Sequence, residues 1–554
     1  MSSNAPTAAP IAARYLSARA ALFATLLALP VFLACALRFA FTCDDAYISF
    51  RYARHLAEGA GLVFNRGESP PVEGFSNLLW VLWTSPWIRL GVDPALVANA
   101  TSIAAGAALL ALVARLASRR LHVGFVPCAA AALFLATLPT FTVWSTSGLE
   151  TVPFALATFG VFERLVVAPE RPRVAGAVGA AVLASLLRAD GAAWALAAAL
   201  TAQLALPAEA RRRGLRALAV VGGALLLTVL ATAAWRWSVF GELVPNTARV
   251  KAGLSTLRLE RGAKYALTWA LTLPGALAAL AVGVVGARAA SPRGASAPNE
   301  ASATSAAARD GAIGARGFVH AAAAMTLVAL AYAVWTGGDF MPFGRFLVPA
   351  TPFLALALAA GLARGGRALH AAAAVAVALS GAATLGFAPL PVGLREALHF
   401  RWNEPRSKSE LDQWRGMKER AEAWRVLGRA LARCTKPNES IVLGNIGAVG
   451  YETELWIHDP FGLVDREVAR REGPLLRASP GHDKGVPLEF FLPRSPDYLG
   501  AWCWAQGEPD PGVPRELDLL VRAGRATLED RDVPAGPGLA RATIVRLARA
   551  VRPR

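Results

Sequence analysis

Charged residues are scarce in this sequence: only 17% of its 554 residues are Asp, Glu, Lys or Arg, whereas 55% are hydrophobic. Soluble domains carry about 25% charged residues, so this balance excludes an ordinary soluble enzyme. The five cysteines show no metal-ligand spacing, which argues against a zinc-finger scaffold. The net charge is +18, but the basic residues are spread over loop ends without interleaved aromatics, so nucleic acid is not a predicted partner.

Long apolar segments are abundant instead. A bilayer span needs about 20 mostly apolar residues, and about eleven segments approach this length. They lie near residues 20–41, 94–114, 125–141, 150–167, 174–187, 191–207, 217–239, 266–287, 318–336, 345–363 and 368–387. The first is followed by others and does not end in a small-residue cleavage site, so we predict a retained anchor. The sequence therefore predicts an α-helical polytopic membrane protein.

Arginine clusters predict the orientation, because short loops rich in Lys and Arg stay in the cytoplasm. The clusters fall on one side when the N-terminus is cytoplasmic: Arg14 and Arg19; Arg115, Arg119 and Arg120; Arg164, Arg171 and Arg173; Arg211, Arg212, Arg213 and Arg216; Arg364 and Arg367. The predicted outer loops are then 42–93, 142–149, 240–265, 337–344 and everything after about residue 388. We predict a multi-pass protein of the cytoplasmic (inner) membrane.

Composition divides the chain into two predicted parts. Residues 1–387 form the transmembrane domain, in which the Ala-, Ser-, Pro- and Gly-rich segment 288–317 is typical of a flexible cytoplasmic linker. Residues 388–554 are more polar and predict an extracytoplasmic α/β domain. It contains a helix from a capping box at Ser407 and Glu410 to about Cys434, and strands near 441–443, 455–457, 498–502 and 543–547. Cys434 and Cys503 either form a disulfide or remain unpaired thiols.

Two adjacent carboxylates, Asp44 and Asp45, follow the first span and open a predicted helix that stops at Gly59. One interpretation is that an aspartate simply caps this helix. The other is catalysis, since an aspartate at the outer membrane surface is placed to take a proton from an acceptor hydroxyl. Neighbouring helical side chains diverge by about 100°, so the two carboxylates are not expected to act on one atom.

The stretch DDAYISFRYARHLAEGAGLVFNRGE, followed by VEGFSNLLWVL, resembles the first outer loop of GT-C superfamily glycosyltransferases. The likeness is greatest to the arabinofuranosyltransferases that complete cell-wall arabinan. It continues in family order through WSTSGLET, LLRADG, GELVPNT with Lys251, GGDFMPFGRFLVP, GNIGAVGY, HDPFGLVD and PGHDKG. The resemblance implies the GT-C architecture and a polyprenyl-phosphate sugar donor. It also implies that Asp44 or Asp45 is the essential aspartate of that loop.

A lipid-phosphate donor requires a cation near the outer surface, which stabilises the leaving phosphate. The first candidate is Arg345, followed by Arg188 and Lys251. Each has a simpler interpretation: Arg345 as a snorkelling arginine, Arg188 as the partner of Asp190, and Lys251 as an exposed loop lysine.

Residues predicted to hold the glycan or lipid-linked acceptor are Glu73, Asn77, Glu150 and Asp339. Asp339 is alternatively a partner of Arg345, and its glycine neighbours would allow close backbone approach to a ligand. His458, Asp459, Asp465 and His482 suggest a metal site, although an acceptor-binding or structural role fits them better. A divalent cation at Asp44 or Asp45 is also compatible with the architecture.

The leading hypothesis is a membrane glycosyltransferase that transfers a sugar on the outer face, with membrane lipids around it. A transporter or flippase is a competing hypothesis, but the polar motifs gather at the outer ends of the spans and no repeat is evident. A second alternative is a non-catalytic membrane protein of the same fold that acts in envelope or motility assembly.

Overall fold

The structure is a computed structural model that describes residues 9–251, 255–289, 303–363, 365–386, 390–471, 479–534 and 541–552. The N-terminal part is helical. Its helices are α1 (Ala9–Arg38), α2 (Asp44–Ala57), α3 (Leu78–Arg89), α4 (Pro94–Leu121), α5 (Phe125–Thr137), α6 (Pro139–Thr142), α7 (Thr151–Val166), α8 (Val174–Leu187), α9 (Gly191–Ala205), α10 (Ala208–Phe240), α11 (Asn246–Lys251), α12 (Thr256–Thr272), α13 (Pro274–Ala289), α14 (Ala303–Thr336), α15 (Thr351–Leu362) and α16 (Arg367–Thr384). Single 3₁₀ turns cover Val143–Ser145 and Arg345–Ala350.

The described residues contain six helical segments that are long and apolar enough to cross a membrane, or up to eight if each bent helix pair counts as one span. The six are Ala18–Arg38, Pro94–Leu121, Ala208–Phe240, Gly314–Thr336, Arg345–Leu362 and Arg367–Thr384. The bent pairs join α5 to the 139–145 segment and α12 to α13. The chain is thus a multi-pass membrane protein by length and composition, and the predicted count of about eleven spans is not confirmed.

Two of the predicted spans, 174–187 and 191–207, are short, as their predicted bounds already indicate. Helices α8 and α9 have 14 and 15 residues. At 1.5 Å per residue each reaches roughly 21–23 Å, short of the roughly 30 Å hydrocarbon core. The turn at Arg188 and Asp190 separates them.

Small residues let the apolar helices pack closely. A Cβ atom at Gly286 would lie 2.1 Å from the Gly361 carbonyl oxygen, and one at Gly283 would lie 2.7 Å from the Ala357 carbonyl oxygen. The backbones of α13 and α15 therefore touch without intervening side chains, as in membrane helix pairs built on small residues. Helix α15 is buried throughout its length by its neighbours.

The segment expected as a linker is partly helical, because α14 already begins at Ala303. Its alanine-rich stretch has high intrinsic helix propensity, which outweighs the lack of an apolar face. Residues 290–302 of the predicted linker lie outside the described residues.

The C-terminal part is a mixed α/β domain, as the sequence predicts. Its elements are α17 (Val392–Ala397), α18 (Glu410–Cys434), β1 (Ser440–Val442), α19 (Ile446–Glu452), β2 (Trp456–His458), α20 (Arg466–Arg470), β3 (Tyr498–Ala505), α21 (Arg515–Arg522), β4 (Ala526–Val533) and β5 (Thr543–Ala550), with a 3₁₀ turn over Leu488–Arg494. The five strands form one sheet in the order β2-β1-β3-β5-β4. Strand β1 pairs in parallel with β2 and β3, whereas β5 is antiparallel to β3 and β4.

The structure corrects one prediction for this domain, the helix cap, and decides between two alternatives for its cysteines. The cap of α18 is Ser409, whose hydroxyl accepts a hydrogen bond from the Asp412 backbone N–H at 3.1 Å; the predicted cap, Ser407, lies two residues too early. Cys434 and Cys503 are free thiols, which resolves the two alternatives in favour of unpaired cysteines.

The first outer loop is fastened to the C-terminal domain. The Arg51 guanidinium is buried and donates hydrogen bonds to the carbonyl oxygens of Phe64 at 2.6 Å, Gly450 at 2.8 Å and Leu455 at 2.7 Å. The Asn65 side chain exchanges two hydrogen bonds with the Ile457 backbone, donating at 3.1 Å and accepting at 2.9 Å. Loop 42–93 and the domain therefore share one side of the protein.

Candidate functional site

The first turn of α2 carries both aspartates, but neither caps the helix. The N-cap position is Cys43, whose side chain makes no capping hydrogen bond. The Asp44 carboxylate instead accepts hydrogen bonds from the backbone N–H groups of Gly447 at 3.2 Å and Ala448 at 2.7 Å, at the start of α19. The capping interpretation is therefore wrong, and Asp44 is a contact between the outer loop and the C-terminal domain.

Protein atoms surround the Asp44 carboxylate, and this desolvation raises its pKa to about 7. The neighbouring Asp45 charge also raises the pKa, while the N–H groups of Ala448 and Gly447 lower it. Asp44 thus changes protonation near neutral pH while it holds α2 against α19.

Asp45 points in another direction, about 100° further around the helix. Its side chain is half-buried, and among the described residues it has no hydrogen bond or ion-pair partner. Ser49, one turn later, lies on the same face and donates a hydrogen bond to the Asn77 side-chain oxygen at 3.0 Å. The Asn77 amide in turn donates to Glu150 at 2.8 Å. Asp45 therefore borders a polar network that includes two of the predicted acceptor residues.

Arg188 continues this network. One of its terminal nitrogens lies 3.9 Å from a Glu150 oxygen. Its fork binds Asp190 at 2.8 and 2.9 Å, so the predicted ion pair is present. The guanidinium also lies over the Phe154 ring, 5.0 Å from the centroid.

Arg345 is buried and uses its Nε to bind Asp339 at 2.6 Å. Its guanidinium faces the rings of Phe346 and Trp144, at 5.4 and 5.8 Å from the centroids. Within the described part of the chain, its two terminal nitrogens make no protein hydrogen bond. Arg345 is a buried cation, and the snorkelling alternative does not describe it.

Several predicted residues come together around Arg345. Asp339, Arg188, Asp45 and Glu150 all lie close enough to Arg345 to interact with it electrostatically. Asp339 is the ion-pair partner that the sequence left as an alternative. Its neighbours Gly337 and Gly338 pack on side chains of α12 and do not face open space.

Glu73 pairs with an arginine that does not belong to this network. Its carboxylate is buried and accepts two hydrogen bonds from Arg236 Nε, at 2.9 and 3.1 Å. Burial raises the pKa of Glu73 to about 7, and Arg236 lowers it in part. The structure thus gives Glu73 an arginine partner and does not bring it to Asn77 or Glu150. Lys251 ends α11, and its side chain lies outside the described residues.

A second buried charge cluster was not predicted. Arg258 and Arg261, one turn apart on α12, both bind Asp483 of the PGHDKG segment. Exposure of all three side chains is at most 4%. Their spacing in RLER places both arginines on one helix face, but the same spacing is common on exposed amphipathic helices. Arg261 and Asp483 are 222 residues apart in the sequence, and no local sequence pattern predicts their contact.

The residues that suggested a metal have other contacts. Asp459 accepts hydrogen bonds from the backbone N–H groups of Phe461 at 2.8 Å and Val464 at 3.1 Å. Asp465 caps α20 and pairs with Arg494. Across the described ranges, no three His, Cys, Asp or Glu side chains are grouped as metal ligands would be. Asp459 and Asp465 therefore have structural contacts within this domain.

Among the described residues, the arrangement offers a carboxylate without a partner, that of Asp45, within electrostatic range of a buried arginine, Arg345, that has unused N–H donors. A hydroxyl placed between them would have an acceptor for its proton, and a phosphate would have directed donors. Four carboxylates, those of Asp45, Glu150, Asp190 and Asp339, surround the two arginines, so the site carries excess negative charge. Anion binding here must therefore depend on direct hydrogen bonds from Arg345.

Comparisons with known proteins do not assign a function to this chain. Residues 412–525 match a family described as a domain of unknown function, DUF8728. No curated protein matches the chain. Among solved structures, the crystal structure of ArnT from Cupriavidus metallidurans bound to undecaprenyl phosphate is similar, with 13% identity and a TM-score of 0.45. That match covers 96% of this chain and 99% of the ArnT chain. A likeness at this level assigns no function.

Proposed function

We propose that this protein is a membrane glycosyltransferase that moves a sugar from a polyprenyl-phosphate donor to a glycan or lipid-linked acceptor of the cell envelope. The observation that carries the proposal is that Asp45 has no partner among the described residues and lies within electrostatic range of Arg345, whose two terminal nitrogens make no hydrogen bond to the described protein. A purely structural site would be expected to satisfy its buried polar groups completely, as backbone N–H donors do for Asp44 and arginines do for Asp483. The GT-C-like motifs of the sequence support the same reading.

In the proposed reaction, an acceptor hydroxyl oxygen attacks the anomeric carbon of the sugar. Asp45 takes the hydroxyl proton as general base. The bond between the anomeric carbon and the phosphate oxygen breaks, and its electron pair leaves with the lipid phosphate. Arg345 donates hydrogen bonds to the developing phosphate charge. Asn77 and Glu150 contact the acceptor, and Arg188 holds Glu150 in place.

The sidedness of the proposal follows from the arginine clusters, which place loop 42–93 outside the cytoplasm. The C-terminal domain contacts that loop through Asp44 and Arg51. We therefore place the reaction and the domain at the outer face of the inner membrane.

The test is sugar transfer in membranes that contain the wild type, Asp45→Asn or Asp44→Asn, with a panel of radiolabelled polyprenyl-phosphate pentoses and hexoses. Each donor is assayed with and without EDTA, because the excess carboxylates make a divalent cation a variable to control. We expect Asp45→Asn to lower transfer by about 10²–10⁴-fold with unchanged thermal stability. Asp44→Asn, the matched control, should chiefly change stability. Transfer that survives in Asp45→Asn would refute the role of this carboxylate, and no transfer from any donor would favour a non-catalytic protein.

A further inference from the structure

A second cleft lies where the last candidate span ends and the C-terminal domain begins. It is bounded by the ends of α12 and α16, by the segment around α17 and by the start of α18. The residues that line it include an apolar set, Leu273, Ala383, Leu390, Leu398 and Phe400. They also include three cationic side chains, Arg395, Arg401 and Lys408, and one carboxylate, Glu410. The cleft therefore combines an apolar wall, formed by that apolar set, with a net positive charge.

Two of these three cations already have partners. Arg401 pairs with Glu410 at 3.1 Å and donates to the Phe340 carbonyl oxygen at 2.8 Å. Lys408 pairs with Glu404 at 3.4 Å. Arg395 differs: in the described ranges it has no ion pair, and its Nε is buried without a hydrogen-bond acceptor. A buried donor of this kind is unfavourable until it meets an acceptor, so an anionic ligand would be stabilised at Arg395.

The surroundings of the cleft suit the membrane surface. Leu385 directly follows α16 and is 74% exposed, and Val392 and Leu394 on α17 are 64% and 41% exposed. Exposed aliphatic residues beside an arginine are typical of helices that lie in the interface between headgroups and acyl chains. The cleft has about 40 Å³ of accessible space, enough for a few water molecules or a small group such as a phosphate.

We propose that this cleft binds the phosphate headgroup of a membrane lipid, with the phosphate on Arg395 and the lipid chain along the apolar wall. The cleft is separate from the proposed catalytic site, since Asp45, Arg188 and Arg345 do not line it. The two are adjacent, because Phe343, two residues before Arg345, lines the cleft. The proposal does not depend on sugar transfer.

The test is native mass spectrometry of the full chain in detergent, with phosphatidylglycerol, phosphatidylcholine or undecaprenyl phosphate added at equal concentration. Wild type is compared with Arg395→Glu, Arg395→Lys and the control Arg406→Glu. Arg406 is exposed, lies in the same segment and does not line the cleft. We expect Arg395→Glu to lower retention of anionic lipid by about tenfold, the effect of roughly one charge-assisted hydrogen bond. Arg395→Lys should retain most binding and Arg406→Glu all of it.

The different ligands added in this experiment distinguish the possible sources of the bound phosphate. Preferred retention of undecaprenyl phosphate identifies the carrier lipid, equal retention with phosphatidylglycerol identifies a general anionic-lipid site, and displacement by inorganic phosphate shows that the headgroup alone binds. Equal loss in Arg395→Glu and Arg406→Glu, or retention unchanged in Arg395→Glu, overturns the proposal. Melting temperatures of both glutamate variants show whether a loss reflects unfolding. Sugar transfer is not part of the readout, so this test can fail while the proposed reaction stands.

Discussion

Two faces of helix α2 differ in whether their polar side chains have bonding partners. The docking face, which contains Asp44 and Arg51, is fully bonded to the C-terminal domain. The open face, which contains Asp45 and Ser49, borders a network in which Asp45 has no partner among the described residues. Because side chains on one helix are fixed relative to one another, the rigid contact on the docking face orients the carboxylate on the open face. Asp44 thus binds the C-terminal domain, whereas the adjacent Asp45 remains available for chemistry.

The largest expected effect concerns the open face. Arg345→Ala removes the free N–H donors beside Asp45 and should lower transfer by about 10²–10³-fold, as loss of an electrostatic donor does. Because this variant leaves Asp339 unpaired, it is compared with Arg345→Ala combined with Asp339→Asn, which removes the lone charge. Steady-state transfer and melting temperature are measured for both. Activity restored in the double variant would show that Arg345 only neutralises Asp339.

On the docking face, Arg51→Leu should cost about 3 kcal/mol or more of stability, because it leaves three buried carbonyl oxygens without a donor. Residual activity of the folded fraction should fall as well, since α2 loses its orientation. Chemical denaturation of the purified protein in detergent measures the change. The exposed arginine at the end of α3 provides the control, Arg89→Leu, and an equal loss there would remove the distinction between buried and exposed positions.

Gly447→Ala tests how closely the docking face fits. A Cβ atom at this position would lie 2.0 Å from the Asp44 carbonyl oxygen, so α2 and α19 would have to separate. We expect a loss of about 1–3 kcal/mol, typical of overpacking. Gly222→Ala on α10, where no atom lies within 4 Å of the added Cβ, should be neutral or slightly stabilising. Thermal melts that rank the two variants in the opposite order would contradict the fit described here.

The smallest effect is on pH dependence. Since the pKa of Asp44 rises from 3.8 to about 7 on folding, the folded protein binds a proton that the unfolded chain releases between these values. Stability from this group is complete below about pH 4 and declines as the pH rises through about 7. Asp44→Asn should therefore reduce the decline in melting temperature between about pH 4.5 and about pH 7.5. The exposed Glu516→Gln serves as control, and an unchanged slope in Asp44→Asn would contradict the burial of this carboxylate.

Much of the architecture could be predicted from local patterns. The apolar runs, the α2 helix with its stop at Gly59 and four of the five strands follow from hydrophobic periodicity and turn residues. Strand β4 does not follow from the sequence, because half of the residues in ATLEDRDV are charged. At the sheet edge two of those four side chains, Asp530 and Asp532, are exposed. The apolar runs at 174–187 and 191–207 predict helices α8 and α9, and the polar residues Arg188 and Asp190 mark the turn between them.

The members of the candidate site and its local ion pairs, Arg188 with Asp190 and Arg345 with Asp339, could be predicted, but its long-range contacts could not. Asp45, Arg188, Arg345, Asn77 and Glu150 are polar residues at the ends of apolar segments, a position that attracts attention in any membrane sequence. The division of labour between Asp44 and Asp45 depends on α19, about 400 residues later, and no local signal announces it. The same holds for Glu73 and Arg236, which are 163 residues apart.

The paired hydrogen bonds between Asn65 and the Ile457 backbone have a consequence for how the chain can be divided. Strand β2 lies at one edge of its sheet, and an uncovered strand edge invites pairing with other chains. Asn65 occupies that edge in the way a neighbouring strand would, using one amide group as donor and acceptor. A C-terminal fragment that begins at residue 388 would lack Asn65 and would expose the unpaired backbone edge of β2, where other chains can pair. The compositional boundary at residue 388 therefore does not mark a unit that would stay soluble by itself.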